Sequence, residues 1–229
     1  MFHRVFLTAL LAGALAGIAL FVAHITTTTP MILHAEVYET AAAGHSPDAP
    51  ASKGETASVT KEWSPSIGFE RSAYTLVADL LISIGFAFLM VGAMSMSGRE
   101  VDWSKGLIWG LCGFATFVVA PAFGLAPELP GMPSSALQAR QIWWIGTAVA
   151  TAAGLGLIFL TELRAYKFAA VALIALPHLI GAPANEDFAS NVPAILASEF
   201  AVATLVINGL FWLLLGGLAG HFYARFENQ

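Results

Sequence analysis

The fold class that this sequence predicts is an all-α, polytopic transmembrane helix bundle of about six helices, with five as the alternative count, and three observations carry it. Hydrophobic residues make up 57% of the 229 and charged residues only 11%, whereas a soluble domain carries about 25% charge. Mean hydropathy is +0.73, well to the apolar side. The apolar residues also fall into successive runs, most of them long enough to cross a bilayer at about 1.5 Å per residue. The chain 1–229 therefore reads as a single integral membrane domain.

The first run, about Val5 to Ala23, follows Met1-Phe2-His3-Arg4. It is longer than a signal-peptide core, and the residues around His24 lack the small-x-small cleavage pattern, so it reads as a retained helix. Gly13 and Gly17, with Ala9, Ala12 and Ala16, give it a smooth face for close packing. Four threonines and Pro30 then predict a stop. From Thr26 to about Arg71 the chain reads as a long outer loop, flexible over 41–60, in which "MILHAEVYE" is apolar enough for a short interfacial helix. On such a helix His34 and Tyr38 share one face and Glu36 and Glu39 an adjacent one.

The second crossing runs from about Ser72 to Met94 and carries Asp79, an acid that is costly in a membrane unless it is neutral, paired or facing water. The third, about Leu107 to Phe123, ends or kinks at Pro121. Four prolines and two glycines from Pro121 to Pro133 then predict a rigid, folded-back loop centred on Glu128. The fourth, about Gln141 to Leu160, opens with Arg140 and the interfacial pair Trp143-Trp144. The fifth, about Phe168 to Ile180, is short, is weakened by Pro177 and delivers His178. The last, about Phe200 to Ala219, contains Asn208 and ends on the Gly216-x-x-x-Gly220 spacing.

Six crossings with an inward amino terminus place Arg4, Arg99, Lys105, Arg164, Lys167 and Arg225 inside, against Lys53, Lys61, Arg71 and Arg140 outside. That bias predicts both termini in the cytoplasm of a cell-membrane protein, in a bacterial setting the inner membrane. Most acids, among them Glu36, Glu39, Glu128, Glu186 and Glu199, then fall on the outer side.

Chemistry concentrates there as well. His24, His34, Glu36 and Glu39 lie within sixteen residues, and the same topology brings His178 and Asp79 to their end of the bundle. Imidazole and carboxylate are ligands for divalent first-row metals, so these six are the candidate metal ligands. Hydrogen-bonded surface histidines are the plainer explanation of the same residues, since no spacing here matches HExxH or a paired-cysteine site. The single cysteine, Cys112, has no partner for a disulfide within the chain. With ten Lys and Arg and no basic stripe, nucleic-acid binding is not expected. No phosphate-binding loop is present, so ATP hydrolysis by this chain is not expected either.

The segments "LLAGALAG", "TPMILHAEVYE", "APAFGLAPELPG", "RQIWW" and "LPHLIGAP" together resemble the CbtA family, described as the predicted membrane subunit of a cobalt transporter. The resemblance implies a non-enzymatic transport subunit with no resident cofactor, whose cargo is cobalt or another divalent transition metal. It also implies a partner, a small single-helix, histidine-rich CbtB-like subunit. The family is usually described with about five helices. A homo-oligomer is compatible with this reading, and the lipid membrane is its other partner. Two rival classes use the same residues: a non-transporting assembly or scaffold subunit, and a metal-dependent membrane enzyme.

Overall fold

The computed structural model describes residues 2–43, 65–185 and 190–228, and these form helices without strands. In order they are α1 (Phe2–Ala23), a π-helical turn (His24–Thr28), α2 (Thr29–Ala43), α3 (Phe69–Ser97), α4 (Trp103–Phe114), a second π-helical turn (Ala115–Val119), the one-turn α5 (Ala120–Ala122), α6 (Leu137–Leu160), α7 (Arg164–Ile180), α8 (Ala194–Arg225) and a closing 3₁₀ turn (Phe226–Asn228). Five stretches are long and apolar enough to cross a membrane: Phe2–Glu39, Phe69–Met96, Trp103–Ala122, Leu137–Leu160 and Ala194–Arg225. The sixth helix, α7, has 17 residues, about 25 Å at 1.5 Å per residue. It runs antiparallel to α6, with Ile174 against Gly154 and Pro177 beside Trp143, and so returns toward the end at which α6 began.

The expected stop at the threonines does not occur. The amide of Thr29 reaches back five residues to the His24 carbonyl, and the wider turn carries the chain through into α2. Helix therefore runs on past Thr26 to at least Ala43, and the connector expected from Thr26 does not begin there. Helix covers 41–43 of the stretch expected to be flexible, and the remainder, 44–60, lies outside the described residues. Pro30 follows the turn by one intervening residue. The same arrangement recurs in the third crossing, where Ala120 donates to the Ala115 carbonyl and Pro121 follows. An extra residue in a helical turn shifts the hydrogen-bond ladder by one place, which lets a proline follow without ending the helix.

The helices are held by small residues at their crossings. A Cβ on Gly13 would lie 2.6 Å from the Cα of Ile84, and one on Gly17 would crowd Leu80, so α1 and α3 meet backbone to backbone. Gly106 and Gly110 of α4 meet Gly216 and Gly220 of α8 in the same way, each against a backbone atom of the other. Lipid tails are as apolar as leucine, so this close approach, and not removal of apolar surface from water, supplies the attraction. The main core joins α1 (Ala9, Ala12, Ala16), α3 (Ala87, Val91, Met94) and α8 (Phe211, Trp212, Leu215). Phe117 stacks on Trp212, with ring centres 5.5 Å apart. A second, smaller cluster caps the opposite end from the termini, where Ala35 of α2 meets Leu129 of the proline-rich loop and Val192, Leu196 and Phe200 of the last hairpin.

That loop is rigid for a readable reason. Met132 donates its amide to the Leu129 carbonyl across Pro130 and Gly131, and Gly131 has φ +80°, the left-handed value that the third position of a type II turn requires. At the other end of the bundle the chain termini meet. Arg4 donates to the Tyr223 carbonyl at 2.8 Å, lies 3.6 Å over the Tyr223 ring and pairs with Glu227 at 3.3 Å.

Candidate functional site

Of the six candidate metal ligands, the fold brings two into contact. His24 opens the first π-helical turn, and its Nδ1 lies 3.1 Å from each carboxylate oxygen of Asp79. Asp79 is 5% exposed and sits ten residues into α3, about 15 Å along its axis. The tight approach of α1 to α3 at Gly17, whose missing side chain leaves room for the Asp79 carbonyl and Leu80, sets this contact. With its proton on Nδ1, donated to the carboxylate, the neutral imidazole keeps a lone pair on Nε2. Metal-binding histidines commonly have this arrangement, a carboxylate behind the ring that fixes the tautomer and raises the basicity of the far nitrogen.

The other four are distributed differently. Glu36 forms a two-pronged ion pair with Arg71 at the start of α3, one prong at 3.1 Å. His34 and Tyr38 share a face as the spacing predicts, with ring centres 5.7 Å apart, and His34 is exposed. Glu39 is exposed, its backbone packed beside Gly131 of the proline-rich loop. His178 stands edge-on to Trp143 and Phe123, with ring centres 5.9 and 6.2 Å away, and the Trp143 indole donates to the Pro177 carbonyl at 3.2 Å. Trp143 thus acts as a packing partner of α7 besides any interfacial role. Among the described residues, no group of three or more His, Cys, Asp or Glu side chains is arranged to hold a metal ion. His45, Glu186 and Asp187 lie outside the described residues.

Sequence reasoning passed over a second ion pair, Arg140 to Glu128 at 2.9 Å. It ties the proline-rich loop to the first turn of α6 as Arg71 and Glu36 tie α2 to α3. In both crossings the order is the same: π-helical turn, proline, acid, then an arginine near the start of the next helix. The signal was present as two arginines at helix starts, but pairing between separate elements is not written in local sequence. Arg140 and Glu128 also line a cavity of about 1190 Å³ beneath the loop, together with Gln141, Trp144 and Asn208.

Among the described residues, five bilayer-length apolar helices, an ion pair beyond each of two π-helical turns and a partly buried imidazole–carboxylate contact define a multi-pass helical membrane protein. The chain belongs to the CbtA family, whose description is probable cobalt transporter subunit; the family model matches residues 2–224. No curated protein and no solved structure matches the chain.

Proposed function

We propose that this chain is the membrane-passage subunit for a divalent transition-metal cation, cobalt by family, and that His24 Nε2 is the ligand on the path, with Asp79 holding the ring in place. The observation that carries the reading is the partly buried His24–Asp79 contact between α1 and α3, which supplies a nitrogen donor and compensating negative charge within the apolar span. This gives Asp79 an orienting role behind the imidazole in place of direct ligation. His34, Glu39 and His178 act earlier, as capture groups on the acidic end of the molecule, which draws cations toward it, and Glu36 joins them when a cation displaces Arg71 from its carboxylate. That end faces outward, with both termini in the cytoplasm, in accord with the charge bias of the connectors. A histidine-rich single-helix subunit of the CbtB kind supplies metal to this face.

The test is equilibrium cobalt(II) binding to the purified chain in detergent, with uptake into cells at matched membrane abundance. His24→Ala is expected to weaken binding and uptake by about tenfold or more, and Asp79→Asn by about tenfold, through loss of the orienting carboxylate. Asp79→Glu keeps the charge but not the geometry and should fall between. Wild-type binding in both His24→Ala and Asp79→Asn would remove the chemical basis of the reading.

A further inference from the structure

We propose that the cavity beneath the proline-rich loop is a water-filled vestibule for a hydrated divalent cation, with Glu128 as its charged group and the hydroxyls of Thr204, Thr147 and Thr151 as its continuation into the bundle. The identity of the cargo rests on the transport reading above; the vestibule itself does not. Three observations support it independently.

The first is size and lining. The cavity holds about 1190 Å³, while a cation with six waters, at about 30 Å³ for each water, needs roughly 200 Å³. A hydrated ion fits without surrendering its shell. The walls offer Gln141, Ser134 and Asn208 among apolar groups, with the Glu128–Arg140 pair beside them. The Asn208 amide nitrogen donates to the Thr204 carbonyl at 2.9 Å. A divalent cation competes with the single charge of Arg140 for the Glu128 carboxylate, so the pair is a point at which entry is sensed.

The second is a row of hydroxyls. On α6, Arg140, Trp144, Thr147 and Thr151 recur at helical spacing along one face; on α8, Phe200, Thr204 and Asn208 do the same. Arg140, Trp144, Phe200 and Asn208 line the cavity. The hydroxyl oxygens of Thr147, Thr151 and Thr204 are shielded and have no hydrogen-bond partner, and Thr147 and Thr151 are 0% and 3% exposed. A threonine in an apolar helix ordinarily donates to the carbonyl one turn back, as Thr26, Thr75 and Thr161 do here. A buried hydroxyl that leaves this bond unmade loses its hydration without compensation. Thr8 and Ser83 on α1 and α3 are in the same state away from the cavity, so the unmade bonds do not by themselves mark a water path; what Thr147, Thr151 and Thr204 add is hydroxyls on the helix faces that carry the cavity wall.

The third is the broken backbone. Pro121 has no amide hydrogen for the carbonyls of Phe117 and Thr116, respectively four and five residues before it. Pro121 and Phe117 both line the cavity. Irregular backbone at membrane depth is tolerated where it lines a water-filled space.

The experiment uses the full chain carrying Cys112→Ala, reconstituted in liposomes, with single cysteines placed at Thr147, Thr204 or, as a control on the lipid face of the same helix, Val149, which is 63% exposed. A small, permanently cationic methanethiosulfonate reagent reports access to water. Thr147→Cys and Thr204→Cys are expected to react about tenfold or more faster than Val149→Cys, because only a hydrated thiol forms the reactive thiolate. Equal rates at all three positions overturn the vestibule. In parallel, Glu128→Gln should reduce cobalt(II) uptake severalfold at matched abundance. Fast labelling with uptake unchanged in Glu128→Gln overturns the assignment of the cation to this cavity and leaves an aqueous cleft. The transport reading itself fails only if His24→Ala and Asp79→Asn are silent as well.

Discussion

At the residue scale, Asp79 drew notice in the sequence as a rare acid in an apolar run and His24 as the first of the His and Glu residues clustered just beyond the first run. Their contact was not readable, because it depends on how closely α1 approaches α3 at Gly17. The same holds for Arg71 and Arg140, whose partners lie on other elements. Local chemistry, by contrast, is visible in sequence. Asp102 caps α4, accepting from the Lys105 and Ser104 amides and from the Ser104 hydroxyl. These bonds, the Lys105 amide foremost, hold its carboxyl below the usual carboxylate range. A carboxyl depressed in the folded state stabilises the fold above its unfolded pKa, and that contribution is lost as pH falls through the unfolded and then the folded value. Asp102→Ala should therefore lower the melting temperature in detergent at neutral pH, and its difference from wild type should shrink as the pH falls through the carboxylate range. A difference that does not change with pH would mean that the capping carboxylate's charge contributes nothing.

At the element scale, the apolar crossings and the small-residue spacings at Gly13, Gly17, Gly216 and Gly220 were legible, because length, hydropathy and spacing are local properties. The first break was misread. Four threonines before a proline satisfy every rule for ending a helix, and only the five-residue reach from Thr29 to His24 keeps it going. Removing one threonine from 26–29 makes the test direct. It takes out the residue that the wide turn absorbs, so ordinary helical register is restored and Glu36 still faces Arg71. Inserting one alanine after Pro30 instead adds a residue with no turn to absorb it and rotates Glu36 by about 100°. Purified protein should remain helical by circular dichroism in both, while a cysteine pair at positions 36 and 71 should cross-link in the deletion as in the full-length background and fail to do so in the insertion. Loss of cross-linking in the deletion would mean that the turn does not hold one extra residue.

At the scale of the whole molecule, the antiparallel order of the helices and the Arg4–Tyr223–Glu227 contact put both termini at one end of the bundle. The capping cluster of Ala35, Leu129 and Phe200 lies at the other. Tags at the two termini should be equally accessible from one side of the membrane and equally hidden from the other. One exposed and one hidden tag would mean that α7 does not cross, leaving five passes. The count was ambiguous in the sequence because 17 residues with an internal proline sit at the edge of the length needed. The contact between Arg4 and Tyr223 also bears on the order of synthesis. A helix made early in this stretch is clasped by one made much later, so α1 and α3 must wait in the bilayer as a provisional pair until some two hundred further residues have been made. A chain released early would present Gly106, Gly110 and the face of α1 that α8 covers as unfilled grooves, open to membrane quality control.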